Sequence, residues 1–209
     1  WAPQVVFDKK RQEYMIYWSN NNADEGWHTI PWYAYTKDGS SPTQLCYSRK
    51  INEWVPVVFE KLKIALKAGG ASITSFQIED NHDWCECDLC LAAKEKYHGN
   101  GGVYAQVINM IADEMKAWAN SAEKPVGDKQ IIVCGSAYQP TEEAPVDYDE
   151  NTGEYKAVDN SVILRDNVAL LYAPIKANYY VSFYEEGNAR ETRNIKGWSA
   201  ISQHMMFWT

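Results

Sequence analysis

The chain has 209 residues and a net charge of −8, with 45% hydrophobic against 23% charged residues, so it is globular rather than disordered and long enough for one sizeable core. No cluster of Lys and Arg offsets the acidity, which argues against nucleic acid as a partner, and no apolar run approaches the roughly 20 residues of a membrane span. Nine Trp and fourteen Tyr point to a surface that stacks on flat or sugar-like ligands, the plainer reading being a Trp-rich core.

In chain order, residues 13–18 read as a strand and residues 19–26 as a polar, Asn-rich loop. Trp27, His28, Pro31, Trp32, Tyr33 and Tyr35 form an aromatic-rich segment that ends in a turn over residues 37–42. Ile51, Trp54, Val55, Val58, Leu62, Ala65 and Leu66 then recur at helical spacing; Pro56 is tolerated near the start and Gly69-Gly70 ends the helix. Ile73, Phe76 and Ile78 predict a short buried strand that runs into Glu79, Asp80, His82, Trp84 and a cysteine loop. A second helix follows Gly101-Gly102, with Tyr104, Val107, Ile108, Ile111, Met115 and Trp118 on one face.

Residues 130–134 form a continuous apolar run, the mark of a strand covered on both faces. Residues 141–161 are acidic and turn-rich. Strands are predicted over residues 167–172 and 178–184, a helix over 188–203 and a last strand over 204–208. Strands alternating with helices imply βαβ units and a mainly parallel sheet, an α/β fold of about six strands. That is too few to close an eight-stranded barrel. With a first residue, Trp1, that is not Met, the expectation is one domain over residues 1–209 belonging to a longer protein, whose other domains are its partners.

Three of the five cysteines, Cys85, Cys87 and Cys90, fall within six positions. Cys46 is the natural fourth member, because it precedes the helix that feeds this strand. Four thiolates make a tetrahedral site of the kind that zinc occupies structurally. The rival reading is a pair of disulfides; Cys85 and Cys87 are too close for an unstrained bond to each other, and five cysteines cannot pair completely. His82 could replace one thiol, and Cys134, in mid-strand, reads as an inert buried thiol. Asp147, Asp149, Asn151 and Gly153 approximate a calcium-loop spacing, but the Gly falls one position late and no bidentate Glu follows; a solvated hairpin turning at Asn151-Thr152-Gly153 fits better.

Acids recur where strands should end: Glu79 and Asp80 after one, Glu185 and Glu186 after another. Paired carboxylates across a barrel mouth are what glycoside hydrolysis requires. Adjacent strand residues point to opposite faces, so Glu185 is a better partner for Asp80 than Glu79. Trp84, Tyr138, Tyr172 and Trp208 each follow or end a predicted strand. They are expected, with His82, to line one sugar-binding rim.

These residues resemble a known family. Pro31-Trp32-Tyr33-Ala34, Asp38-Gly39, Gln44-Leu45-Cys46-Tyr47-Ser48, and then Glu79-Asp80 before Trp84-Cys85-Glu86-Cys87-Asp88-Leu89-Cys90, are similar to the bacterial glycoside-hydrolase-like domain family numbered 4838 among domains of unknown function. Residues 103–118, Tyr138, Gly197-Trp198 and Phe207-Trp208 also stand where that family places a helix, a strand end, a Gly-Trp pair and a Trp-containing strand. The resemblance implies a (β/α)8 TIM-barrel-like domain, a polysaccharide or glycan substrate, and a secreted, cell-surface or periplasmic location. Two departures are evident: Glu79 stands where the family has Asn, and residues 141–161 look like an inserted hairpin. The leading expectation is a glycoside-hydrolase-like domain; a non-catalytic carbohydrate-binding barrel is its alternative. A metal-dependent hydrolase ranks below both, since an all-thiolate site leaves no open position for water.

Overall fold

The computed structural model describes residues 4–9, 12–22, 28–36, 46–48, 51–69, 72–78, 84–122 and 125–208. Three strands open the chain: β1 (Gln4–Asp8), β2 (Glu13–Asn22) and β3 (His28–Thr36) pair antiparallel in that order. The aromatic-rich segment is therefore a strand, with Trp32 registered against Trp18 and Tyr33 against Tyr17. Aromatic and β-branched residues suit a pleated surface.

The predicted helix over Ile51 is α1 (Ile51–Gly69), and it leads into β4 (Ile73–Ser75). Two helices follow, α2 (Asp88–Lys96) and α3 (Asn100–Ala119), the first of them inside what the sequence offers only as a cysteine loop. Cys87 caps α2, its sulfur accepting from the Cys90 backbone N–H. Then come β5 (Ile132–Ala137), the hairpin β6 (Val146–Asp149) with β7 (Glu154–Ala157), β8 (Val168–Tyr172), α4 (Ala189–Ile201) and β9 (Met205–Phe207). The hairpin turns where expected. Asp149 spends its carboxylate on the N–H groups of Asn151 and Thr152, and Gly153 takes the positive φ of 72° that the turn needs.

Strands β4, β5, β8 and β9 form one parallel sheet in that order, each strand beside the one that follows it in the sheet. The chain is thus mixed α/β with a parallel sheet, as its alternating pattern implies. The register sorts the side chains by face. Thr74, Val133, Val168, Leu170 and Tyr172 lie on the buried face, against which α3 packs. Ile73, Ser75, Leu171 and Met206 lie on the other, where Ile73 is 58% exposed.

Close approach sets two details. Gly101 and Gly102 belong to α3 rather than preceding it. A Cβ there would fall 2.0 Å from the Glu143 carbonyl oxygen and 2.3 Å from that of Tyr97, so no side chain fits. Gly135 makes room for Tyr104, whose hydroxyl lies 3.0 Å from where a Cβ would stand. That buried hydroxyl donates to the Phe76 carbonyl at 2.5 Å and accepts the Ser136 N–H at 3.1 Å, bridging the ends of β4 and β5. Burial pushes the Tyr104 phenol well above its ordinary range.

One predicted strand is absent: residues 178–184 form turns. Their alternating, aromatic-rich pattern favours a strand locally, but the buried amide of Asn188 captures their backbone instead. Its Nδ2 donates to the carbonyls of Asn178 (2.9 Å), Ser182 (3.1 Å) and Val181 (3.4 Å), and its Oδ1 accepts the Asn178 N–H at 2.8 Å.

Candidate functional site

β4 runs out through Phe76 and Ile78 towards Glu79, Asp80 and His82, which lie outside the described residues, and the chain resumes at Trp84. Immediately beyond, Cys85, Cys87 and Cys90 meet Cys46, all four buried, with their sulfurs within 4.8 Å of one another. Cys46 Sγ is 3.7 Å from Cys87 Sγ and 3.8 Å from Cys90 Sγ. All five cysteines are thiols, so the tetrad is not a set of disulfides. Four buried sulfurs so placed could hold one metal ion.

Mutual sulfur contacts divide the tetrad electrostatically. Cys46 and Cys85 hold the Cys87 thiol down to about 7, against the raising effects of Cys90 and burial. Cys90 is held far below the usual thiol range by Cys46, Cys85 and Cys87. Its place in the first turn of α2 works in the same direction, because the helix N-terminus favours negative charge. Cys85 is raised by the other three and by burial. Thiolate character, the form that binds metals, thus develops at the start of α2.

Beneath the tetrad lies an aromatic floor. Trp84 stacks on Tyr47 with centroids 4.8 Å apart, and Tyr47 meets Phe76 and Tyr104 edge-on at 6.4 and 6.5 Å. Trp84 is buried, and its indole N–H finds no acceptor among the described residues.

The rings expected on one rim are dispersed by burial. Trp84 and Tyr172 are inside, Tyr138 is half-buried with its hydroxyl accepting from Gln139, and Trp208 is 64% exposed. Tyr172 ends β8 on the same face as Val168 and Leu170, which turns it into the helix layer, where its hydroxyl donates to Glu191. Glu185 is exposed on the loop that leaves β8, not at a strand end, and its Oε1 accepts the Ser182 N–H at 3.4 Å.

Two acids that the sequence reading passes over are buried near these strand ends. Glu142, in the stretch read as an insertion, pairs with Arg190 and lies 3.5 Å from Lys176 Nζ. Arg190 also reaches Glu191 at 3.6 Å. Trp198 donates to the Glu142 carbonyl at 2.8 Å, tying the exit of β5 to α4. The only sequence signal for Glu191 is its place in the first turn of a helix, where a carboxylate is favoured.

Residues 17–209 match the model of a family described as Domain of unknown function (DUF4838). The chain belongs to that family. The DUF4838 match begins within β2 and covers the thiol tetrad, the whole parallel sheet and the Glu142 network. No curated protein and no solved structure matches the chain. Among the described residues no helix is long and apolar enough to cross a membrane.

Proposed function

We propose that this chain is a glycoside-hydrolase-like, carbohydrate-active domain whose working loop, residues 79–83, is held by a structural zinc on Cys46, Cys85, Cys87 and Cys90. The observation that carries the reading is the position of the tetrad. It begins two residues past that loop, at the C-terminal edge of a parallel strand, where α/β proteins assemble their sites. The donor set suits the ion: a tetrahedral centre with Zn–S of about 2.3 Å has sulfurs about 3.8 Å apart, Cys46 Sγ lies 3.7 and 3.8 Å from those of Cys87 and Cys90, and all four sulfurs fall within 4.8 Å of one another. With four protein ligands the metal would leave no coordination position for water, so its part is to fix the chain and not to activate a nucleophile.

On this reading the sheet is part of a (β/α)8 barrel. Supporting it is the order β4-β5-β8-β9, in which each strand adds beside the last, as around a barrel wall. The face with Ile73, Leu171 and Met206, opposite the one against which α3 packs, would then point towards the barrel axis. Asp80 is the central acid, with Glu185 or Glu79 as second carboxylate; a separation of about 5 Å would give retention and roughly 6.5–9.5 Å inversion. His82, Tyr138 and Trp208 would contact sugar, and the domain would act outside the cell or in the periplasm. The test is Asp80→Asn, assayed for reducing sugar released from a glycan panel, with folding followed by thermal melting. Lost turnover in a folded variant is expected; unchanged turnover removes Asp80 from the chemistry. Sugar binding without turnover by the unaltered chain would instead establish the non-catalytic binding barrel.

A further inference from the structure

A second concave site stands away from the thiol tetrad, where α4 meets the β6–β7 hairpin and β9. This groove of about 780 Å³ is lined by Tyr155, Phe183, Tyr184 and Phe207, with Lys196 and Ser199 among its polar groups. Its size falls within the range of about 300–1,000 Å³ typical of small-ligand sites, and so does its make-up of apolar walls with a few polar groups.

The walls are held from behind. Tyr155 packs on Tyr148 with centroids 4.9 Å apart. Thr192 donates from α4 to the Phe183 carbonyl, Tyr179 meets the Phe183 ring edge-on at 6.2 Å, and Asn188 fixes residues 178–182. Yet Tyr184 is 85% exposed and Phe207 49%. Phe207 meets Tyr172 edge-on at 6.2 Å, so it is positioned while still facing water, and such a ring loses little freedom when a ligand covers it.

The groove's charge narrows the ligand. Lys196 is its one charged lining residue. It is exposed and forms no ion pair among the described residues, although the chain carries 28 acids against 20 Lys and Arg. A cation left unpaired beside aromatic rings complements a ligand that has both an apolar face and a negative charge.

We propose that this groove binds a hexuronic-acid residue of an acidic polysaccharide, its ring against Tyr184 and Phe207 and its carboxylate on Lys196. The ligand class rests on the carbohydrate reading above; the charge rests on the groove itself. A neutral sugar would leave Lys196 unused, and a free inorganic anion would leave the rings unused.

The test is calorimetric titration of the chain with tetragalacturonate, with the same tetrasaccharide reduced at its carboxyls, and with inorganic phosphate. Saturable binding of the acid form is expected, about tenfold or more tighter than the reduced form, as a hydrogen bond to a charged group implies. Lys196→Met should remove that preference while leaving the reduced form unaffected, Lys196→Arg should keep it, and Tyr184→Ala should weaken both sugars. Equal affinity for the two sugars, no binding of either, or phosphate held more tightly than the acid sugar would overturn the proposal. So would a dimer of the chain that Tyr184→Ala dissolves, since the groove would then belong to a second copy. Repeating the titration on Asp80→Asn separates the two readings. Intact acid-sugar binding with unchanged turnover defeats the catalytic assignment alone, and lost preference with normal Asp80-dependent turnover defeats the groove alone.

Discussion

Two loops leave the C-terminal edge of the parallel sheet, and they handle their aromatic residues in opposite ways. After β4, a sulfur tetrad pins the returning chain and folds Trp84 and Tyr47 inward as a stacked floor. After β8, one buried amide, that of Asn188, gathers the backbone of residues 178–182 and leaves Tyr180 fully exposed and Tyr184 at 85%. Soft sulfurs tolerate a dry setting, so rings can pack inward beside them. A loop held by backbone hydrogen bonds satisfies its polar groups internally and can turn its rings to water. Among the described residues, the rings beside these two loops are therefore two populations, one packed inward and one facing water.

The largest effect should come from breaking the sulfur clamp. Cys87→Ser, or chelation of the unaltered chain, should release close to one zinc per chain by elemental analysis. It should also cost about 4 kcal/mol or more in denaturant unfolding, since metal binding energy at such a site is folding energy. A non-reducing digest yielding disulfide-linked peptides from these cysteines would refute the clamp. Asn188→Ala strikes the second loop. It removes the side-chain partner of the Asn178 N–H and of the Val181 carbonyl, while the Asn178 and Ser182 carbonyls keep the N–H groups of Val181 and Glu185, for an expected loss of about 2 kcal/mol, with faster amide exchange confined to residues 178–182. Exchange spreading equally to the thiol tetrad would show that the loops are not independently held.

Tyr104→Phe probes the floor of the first loop. Removing the hydroxyl takes one donor from the Phe76 carbonyl and the acceptor from the Ser136 N–H, an expected cost of about 1–2 kcal/mol, while zinc content should stay unchanged. The smallest effect lies in the hairpin that walls the groove. The Asn151 N–H first, then that of Thr152 and the Lys156 ammonium, hold the Asp149 carboxyl below its ordinary range. A lowered folded-state value means that the contribution is present above the unfolded carboxylate range and is lost as pH falls through the lowered value. The stability difference between the unaltered chain and Asp149→Asn should therefore shrink between about pH 5 and pH 3, read by thermal melting across that span. A difference that persisted undiminished at the acid end would assign the turn to its backbone alone.

Much of the framework is legible in the residues themselves. The apolar run within residues 130–134 reflects burial on both faces of a strand, and the helical repeat around Val107 reflects burial on a fixed period, both of which sequence records directly. Cys46 could be matched to the cysteine loop because the order of elements brings it back there. The sequence hides α2, because Cys90 is its only buried residue and Leu89 and Leu91 face water, so no apolar stripe marks it. It misleads at residues 178–184, where strand propensity yields to a side chain that arrives later in the chain. The Glu142 network is silent for a similar reason: its cation, Arg190, stands 48 residues away.

The sulfur clamp also bears on the order in which this chain can fold. Cys85, Cys87 and Cys90 are local enough to capture an ion while the rest is disordered, but Cys46 is 41 residues from Cys87. Closing that ring costs about 3 kcal/mol of chain entropy by the logarithmic scaling of loop length, and α1 and β4 lie inside it. An ion held early by three sulfurs would wait, partly coordinated, until α1 packs and delivers the fourth. The speed of that step, not only the final stability, would then depend on how much metal the newly made chain meets.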